Sequence, residues 1–392
     1  MTVEFHSFES APGLATSSRK RLKVLHIGKF YPPHMGGMET HLQALCGELR
    51  KCADLQVIVS NDGRREIRET VDGVSVLRVP TSLTLFSTSI CPRMIGGIRA
   101  CAADIIHLHL PNPAAVMAYL ASGHRGRLVC TYHSDTVRQK LLGPLFGPIL
   151  HAALRRSSAI IATSPNYLAT SPVLQAHRDR CHVIPLGIDL APFETVDGPT
   201  VERLRARYGG RLVIAVGRLV YYKGFEHLIR AMVHVRGRLL IIGDGPLAPD
   251  LRALASRLGL GERVMFTGKV PESIVPYYHA ADVFALPSVA RTEAFGIVQI
   301  EAMASGLPVV NTALDSGVPF VSLDGETGLT VPPGDSAALA AALNRLLDDA
   351  ALRKRFGLAG ARRARQEFSL QIMLDRTKNL YEAVLCQAGG NR

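Results

Sequence analysis

Residues 21–28, RLKVLHIG, begin the pattern that most constrains this chain: a short apolar run, a loop, then an amphipathic helical stretch. The pattern recurs through LQVIVS, VSVLRV, ADIIHLHL, RLVCTYHS, AIIATS and HVIPLG, and restarts at residue 211 with RLVIAVG, RLLIIGDG, VMFTG, DVFALPS and PVVNT. Apolar runs of this length, alternating with helices, predict parallel strands in a sheet covered on both faces. The restart predicts two doubly wound α/β domains in tandem with a cleft between them. We place a loose polar tail at 1–20, a first domain at 21–190, and a second domain at 191–369. The Pro/Gly/Asp-rich stretch 185–200 reads as the hinge, and the chain from Ala337 onward reads as helices alone. In such sheets ligands bind outside the carboxyl ends of the strands, so facing ends can hold a donor on one side and an acceptor on the other.

Composition narrows the ligands. The 392 residues carry 45 Lys+Arg against 33 Asp+Glu, and residues 1–190 hold 21 of the basic and 13 of the acidic ones. A basic excess leaning to the first half favours phosphorylated substrates, polyanions or an anionic membrane surface. Nucleic acid is disfavoured, because there is no long Lys/Arg run, no zinc-finger spacing and few aromatics for stacking. The seven cysteines are scattered without a CxxC pair and read as reduced, mostly buried thiols in a cytosolic protein. Residues 1–20 lack the apolar core of a signal peptide, and no apolar run is long enough to span a bilayer.

Several residues at strand ends carry chemistry. RTEAFGIVQIE (291–301) holds Glu293 and Glu301, eight apart. Wholly helical, that spacing rises about 12 Å, too far for a glycosidase pair at roughly 5–10 Å and suited to gripping two parts of one elongated ligand. On this reading Glu293 precedes a helix and Glu301 lies two turns inside it, while the amides near Phe295, Gly296 and Ile297 offer donors to a phosphate or a sugar hydroxyl. GRLVYYKG (217–224) places Arg218 and Lys223 across a turn, a fork and a point charge fit for a diphosphate, or else a solvated pair. Gly36 and Gly37 in PPHMGGME permit close backbone approach at the start of a helix expected over 37–50, or simply make a tight turn. His133 in TYHSD ends a strand, where it can donate to a sugar hydroxyl or serve structure alone.

Other patterns are weak. IGDGPLA (242–248), with Glu262 about 20 residues on, mimics a dinucleotide fingerprint, but any strand-to-helix turn needs such glycines. No D-x-D and no His/Cys cluster with metal spacing occurs, so no dedicated metal is expected. VRQKLLGPLFGPILHAALRR (137–156) puts Leu141, Leu142, Leu145, Phe146, Ile149, Leu150 and Leu154 on one stripe flanked by Arg138, Lys140, Arg155 and Arg156. That is the pattern of an interfacial helix or of a core-facing one with a basic rim, and Pro144 and Pro148 should break or bend it.

Taken together and in order, E-x7-E from Glu293 to Glu301 within TEAFGIVQIEAMASGLPVV, GRLVYYKG, the PPHMGGMETH loop and IPLGID (184–189) resemble the retaining glycosyltransferases of family 4. The resemblance covers nearly the whole chain after residue 20. It implies the GT-B fold, with the final helix (370–392 here) crossing back onto the first domain. It implies a nucleoside-diphosphate sugar as co-substrate, a GDP-sugar being slightly favoured, and no cofactor or metal. Glu301 would bind the ribose, and Glu293 with the backbone at Phe295, Gly296 and Ile297 the donor sugar. Arg218 and Lys223 would neutralise the diphosphate, Gly36 and Gly37 would approach it from the first domain, and His133 would lie near the reacting carbon. The frame SGVPFVSLDGETGLTVPPGD (316–335) is similar to enzymes of bacterial surface polysaccharides. It implies mannose or a related sugar, a glycan or polyprenyl-diphosphate-linked acceptor, and peripheral contact with the inner face of the cytoplasmic membrane.

Overall fold

A computed structural model describes residues 21–34, 36–85, 88–135, 143–270 and 273–387; the 1–20 tail, Met35, residues 136–142 of the amphipathic stretch and 388–392 of the final segment lie outside them. In the first domain the apolar runs become β1 (Leu22–Ile27), β2 (Ala53–Asn61), β3 (Ile67–Val71), β4 (Val74–Pro80), the hairpin β5 (Leu83–Leu85) and β6 (Thr88–Ile90), β7 (Ile105–Leu110), β8 (Arg127–Tyr132), β9 (Ala159–Ala162) and β10 (Cys181–Val183). The sheet order is β10-β9-β8-β7-β1-β2-β4-β3, parallel except where β3 meets β4. All six residues of β7 are buried, as a central strand covered on both faces requires. The edge strand β3 was not anticipated: IRETV is polar and four of its five residues are exposed, so it carries no apolar signal.

The second domain is an all-parallel sheet of β11 (Leu212–Val216), β12 (Arg238–Ile242), β13 (Val264–Gly268), β14 (Val283–Ala285), β15 (Val309–Thr312) and β16 (Gly328–Val331), ordered β13-β12-β11-β14-β15-β16. The glycines of IGDGPLA have a packing reason. A Cβ on Gly243 would sit 2.0 Å from the Gly217 carbonyl oxygen, and one on Gly245 2.5 Å from that of Leu219. They let two strand-end loops touch backbone to backbone, which explains the pattern without a dinucleotide.

The chain passes between domains twice, and the two passages are tied together. Ile188 donates its amide to the Phe368 carbonyl at 3.0 Å, and Leu370 donates to the Ile188 carbonyl at 2.8 Å. A Cβ on Gly187 would lie 2.5 Å from the Ser369 oxygen, so no larger residue fits that crossing. The helix that follows, Leu370–Cys386, is capped by the Ser369 side chain. It buries Met373, Leu374, Leu380, Tyr381 and Val384 against Val24, Leu45, Ile105 and Val129 of the first domain. Each such side chain contributes roughly 1.5–3 kcal/mol of apolar burial.

The second half of the amphipathic stretch is the helix Gly143–Arg156, which runs through Pro148 unbroken; Pro144 lies in its first turn, where a missing N–H costs little. Of the expected break or bend, a break does not occur within the described helix. Ala153 and Leu154 belong to the first domain's core, with Phe146, Ile149 and Leu150 packed half-buried against it, while Arg155 and Arg156 are exposed. This part of the stripe is therefore core-facing with a basic rim. Of the cysteines, Cys46, Cys91 and Cys130 are buried, Cys52 and Cys386 are exposed, and all seven are free. Among the described residues no helix is long and apolar enough to cross a membrane.

Candidate active site

On the second domain the site grows from the loop after β11. Gly224 adopts φ +66°, and a Cβ there would strike the Pro287 carbonyl at 2.0 Å, so this turn closes only with glycine. The turn is pinned by the Val289 amide donating to Tyr222 at 2.8 Å. Lys223 thereby points its ammonium at Glu293, 2.6 Å from Oε2, in a pair whose side chains are only 12% and 10% exposed. Ser288 donates a hydroxyl bond to the same oxygen at 3.0 Å. A charge pair so shielded persists because hydrogen bonding supports it, and removing one partner strands the other. Arg218 is exposed on the rim, and its charge is felt at Tyr222.

The segment between the glutamates departs from expectation. It is not wholly helical: Gly296 takes φ +75°, where a Cβ would come within 2.7 Å of Leu286, and the helix runs only from Val298 to Ala304. Glu301 therefore sits in the first helical turn instead of two turns inside, and the 12 Å rise does not apply. Phe295 is a core residue stacked edge-on against Phe368, so only its backbone is available to a ligand; Gly296 and Ile297 precede the helix as a bend. Glu301 accepts a hydrogen bond from the Tyr278 hydroxyl at 2.6 Å. Burial raises its pKa above the ordinary carboxylate range, against the opposing pull of Tyr278 and of the Lys223 charge. Lys223 is thus close enough to act on both glutamates. Neither Tyr278 nor Ser288 was singled out from the sequence, since a tyrosine or serine at a strand or helix end carries no pattern of its own.

Across the cleft, Gly36 caps the helix Gly37–Leu49 in extended conformation, and a Cβ on it would collide with the Glu39 carboxylate at 2.3 Å. Around Gly37 a Cβ would meet nothing within 4 Å. His133 follows β8, its amide donating to the Leu110 carbonyl at 2.9 Å. It is not alone. His26 on β1, His41 on the first helix, and His107 and His109 on β7 surround it, all buried. His109 Nδ1 lies 3.2 Å from His133 Nε2, and His109 Nε2 lies 3.2 Å from His26 Nδ1. Burial holds the imidazoles neutral: His26 is pushed down to about 3 and His41 to about 4, with His107, His109 and His133 well below their usual value. Spacing along the chain could not show this grouping, because the five rings come from four separate segments.

An ion pair joins the two sides. Arg291 donates to Asp135, two residues past His133, at 3.0 Å, and to the Thr170 carbonyl at 3.2 Å. Tyr132 and Ser171 hold the other oxygen of Asp135 at 2.8 Å each.

With this geometry in view, comparison with known proteins is decisive. The profile of Glycosyltransferase Family 4 matches residues 35–192, and that of Glycosyl transferases group 1 matches residues 210–349. O-antigen chain mannosyltransferase C of Escherichia coli is 31% identical, over 93% of this chain and 99% of its own. This chain belongs to glycosyltransferase family 4. The GDP-mannose-dependent alpha-(1-6)-phosphatidylinositol monomannoside mannosyltransferase of Mycolicibacterium smegmatis is 34% identical, over 86% of this chain and 92% of its own. Among solved structures, sucrose-phosphate synthase from Thermosynechococcus elongatus superposes with a TM-score of 0.77 at 25% identity, covering 94% of this family 4 chain and 100% of that one. HepE of Anabaena, in complex with UDP, gives 0.77 at 22% identity, covering 92% and 100%. The two parallel-sheet halves of the glycosyltransferase are the GT-B fold.

Proposed function

We propose that this glycosyltransferase moves mannose or a related sugar, with retention of configuration, from a nucleoside-diphosphate sugar to a glycan or lipid-linked acceptor in cell-surface polysaccharide synthesis. The observation that carries the reading is the Lys223–Glu293 pair, shielded from solvent, beside Glu301 at the strand ends of the second sheet. Lys223 is placed to shift its charge from Glu293 to a diphosphate, with Arg218 entering from the rim. Lys223 and Ser288 both hold Glu293 by Oε2, leaving its other oxygen to accept from a sugar hydroxyl. Glu301, oriented by Tyr278, suits the paired hydroxyls of a ribose. Gly37 leaves open space for a phosphate at the opposite wall, and on this reading His133, after β8, would lie near the reacting carbon. A carboxylate tied to a lysine and a serine is a poor nucleophile. The reading therefore has the leaving phosphate oxygen take the acceptor's proton while the cleft supplies position and charge.

The names of two relatives, an O-antigen mannosyltransferase and a GDP-mannose-dependent enzyme, support mannose and a GDP-sugar. The UDP bound by HepE supports a uridine donor as the second reading. Thermal stabilisation by GDP-, UDP-, ADP- and dTDP-sugars, with NAD as control, separates them. A ligand at 100 times its Kd adds roughly 2.7 kcal/mol, so one nucleotide family should stand out, and a shift with NAD alone would end the transferase mechanism described here. A polyprenyl-diphosphate acceptor calls for peripheral membrane contact through the basic rim at Arg155 and Arg156. Sedimentation with anionic liposomes should show binding that weakens with salt, and no binding at low ionic strength removes that part of the reading.

A further inference from the structure

We infer that His41, His109 and His133 form a binding site for one divalent transition-metal ion of the zinc class, set in the first domain beneath the cleft. The proposal shares His133 with the donor assignment but does not depend on that assignment. One ring nitrogen from each residue can be chosen so that all three lie within 4.8 Å of one another. Tetrahedral zinc bound at about 2.0–2.1 Å separates its nitrogen ligands by roughly 3.3 Å, and His109 Nδ1 already stands 3.2 Å from His133 Nε2.

The second observation is a pair of orphaned atoms. His41 is 6% exposed, yet neither of its ring nitrogens has a hydrogen-bond partner among the described residues. Buried polar groups without partners are uncommon, and a ring that offers a lone pair to an ion is one way such a group is satisfied. His41 is aimed at the cluster, its ring edge-on to His133 at 5.1 Å and to His109 at 5.6 Å between centroids.

The surroundings agree on the ligand class. The three ligands are imidazoles, a neutral nitrogen set that favours zinc, copper, nickel or cobalt over magnesium or calcium. When His109 binds through Nδ1, its other nitrogen carries the proton and donates to His26 Nδ1 at 3.2 Å, the outer contact that fixes a metal-binding tautomer. The neighbouring trio of His26, His107 and His109 is less suited. Both nitrogens of His107 are taken, one by the Tyr381 hydroxyl at 2.5 Å and one by Thr131 at 2.6 Å. Three protein ligands leave a fourth position for water or another exogenous group. An ion so held would lock the ring of His133, the histidine nearest the interdomain bridge.

Tag-free protein stripped with chelator and titrated with Co²⁺ should take up one equivalent with the visible bands of a tetrahedral nitrogen site, displaced by Zn²⁺. His41→Ala should weaken that uptake roughly 100-fold or more, while His182→Ala, on the exposed edge strand β10, leaves it unchanged. His41→Gln keeps a polar side chain of similar volume and serves if the alanine variant does not fold. Zn²⁺ should also raise the melting temperature of the stripped wild type. Absence of a stoichiometric cobalt spectrum, absence of any zinc-induced stabilisation, or uptake that survives both His41 substitutions would each overturn the site.

Discussion

The two domains repeat one architecture but dress the strand ends in opposite ways. In the second, β11 and β14 deliver charges that answer one another: Lys223 with Glu293, and Glu301 leaning on Tyr278. In the first, β1, β7, the end of β8 and the helix Gly37–Leu49 together deliver five buried imidazoles, none paired with an acid among the described residues and all held neutral. A fold that places side chains at strand ends does not choose their chemistry. The charged side suits a ligand bearing phosphates and hydroxyls; the neutral side suits a lone-pair acceptor or the uncharged face of a sugar.

Substitutions should test this contrast with graded effects. Glu293→Ala removes the group assigned to the donor sugar, and kcat should fall about 10²–10³-fold while the nucleotide Kd changes little. Retained turnover would remove Glu293 from its role. Glu301→Gln should weaken nucleotide binding about 10–100-fold, the worth of a hydrogen bond to a charged group. Its effect on stability has the opposite sign. The Glu301 pKa is raised on folding, so the ionised carboxylate costs stability at neutral pH, and the glutamine protein should melt no lower than wild type. That advantage should vanish as the pH falls through the ordinary carboxylate range, where the unfolded chain is protonated too. Calorimetry across pH 4–8 reads both limbs.

The imidazole side predicts acid sensitivity in the metal-free protein. His26 and His41 are depressed on folding, to about 3 and about 4, so their contribution is complete above the unfolded value and is lost as pH drops below it. Urea unfolding at pH 7.5 and 5.5 should differ by on the order of 1 kcal/mol for each group, and His26→Phe should flatten the dependence. Arg291→Ala should do least. It removes a half-exposed bridge to Asp135, worth about 0.2–1 kcal/mol. A KM change of no more than about fivefold is expected, and a larger one would make the bridge part of the catalytic assembly.

How much of this was legible beforehand varies with the kind of signal. The parallel strands were readable because a strand buried on both faces must be apolar throughout, as LLII (239–242) and VFA (283–285) show. The exposed edge strand Ile67–Val71 and the short β16 were not, since neither carries a continuous apolar run. Lys223, Glu293 and Glu301 were found because they lie in two short segments with recognisable frames. Their mutual contact was not, because that depends on Gly224 and Gly296 taking left-handed backbone conformations that aim the side chains.

By itself the sequence determined the repeated α/β architecture, the family and the segments that carry charge to the cleft, since periodicity and local motifs are properties of neighbouring residues. Tertiary structure alone decided which charges meet, where the helix after Glu293 begins, and that His26, His41, His107, His109 and His133 share one buried space. The imidazole contacts join residues as far apart in the chain as His41 and His133, and the pairing of β1 with β7 and of β7 with β8 is what brings those segments within reach.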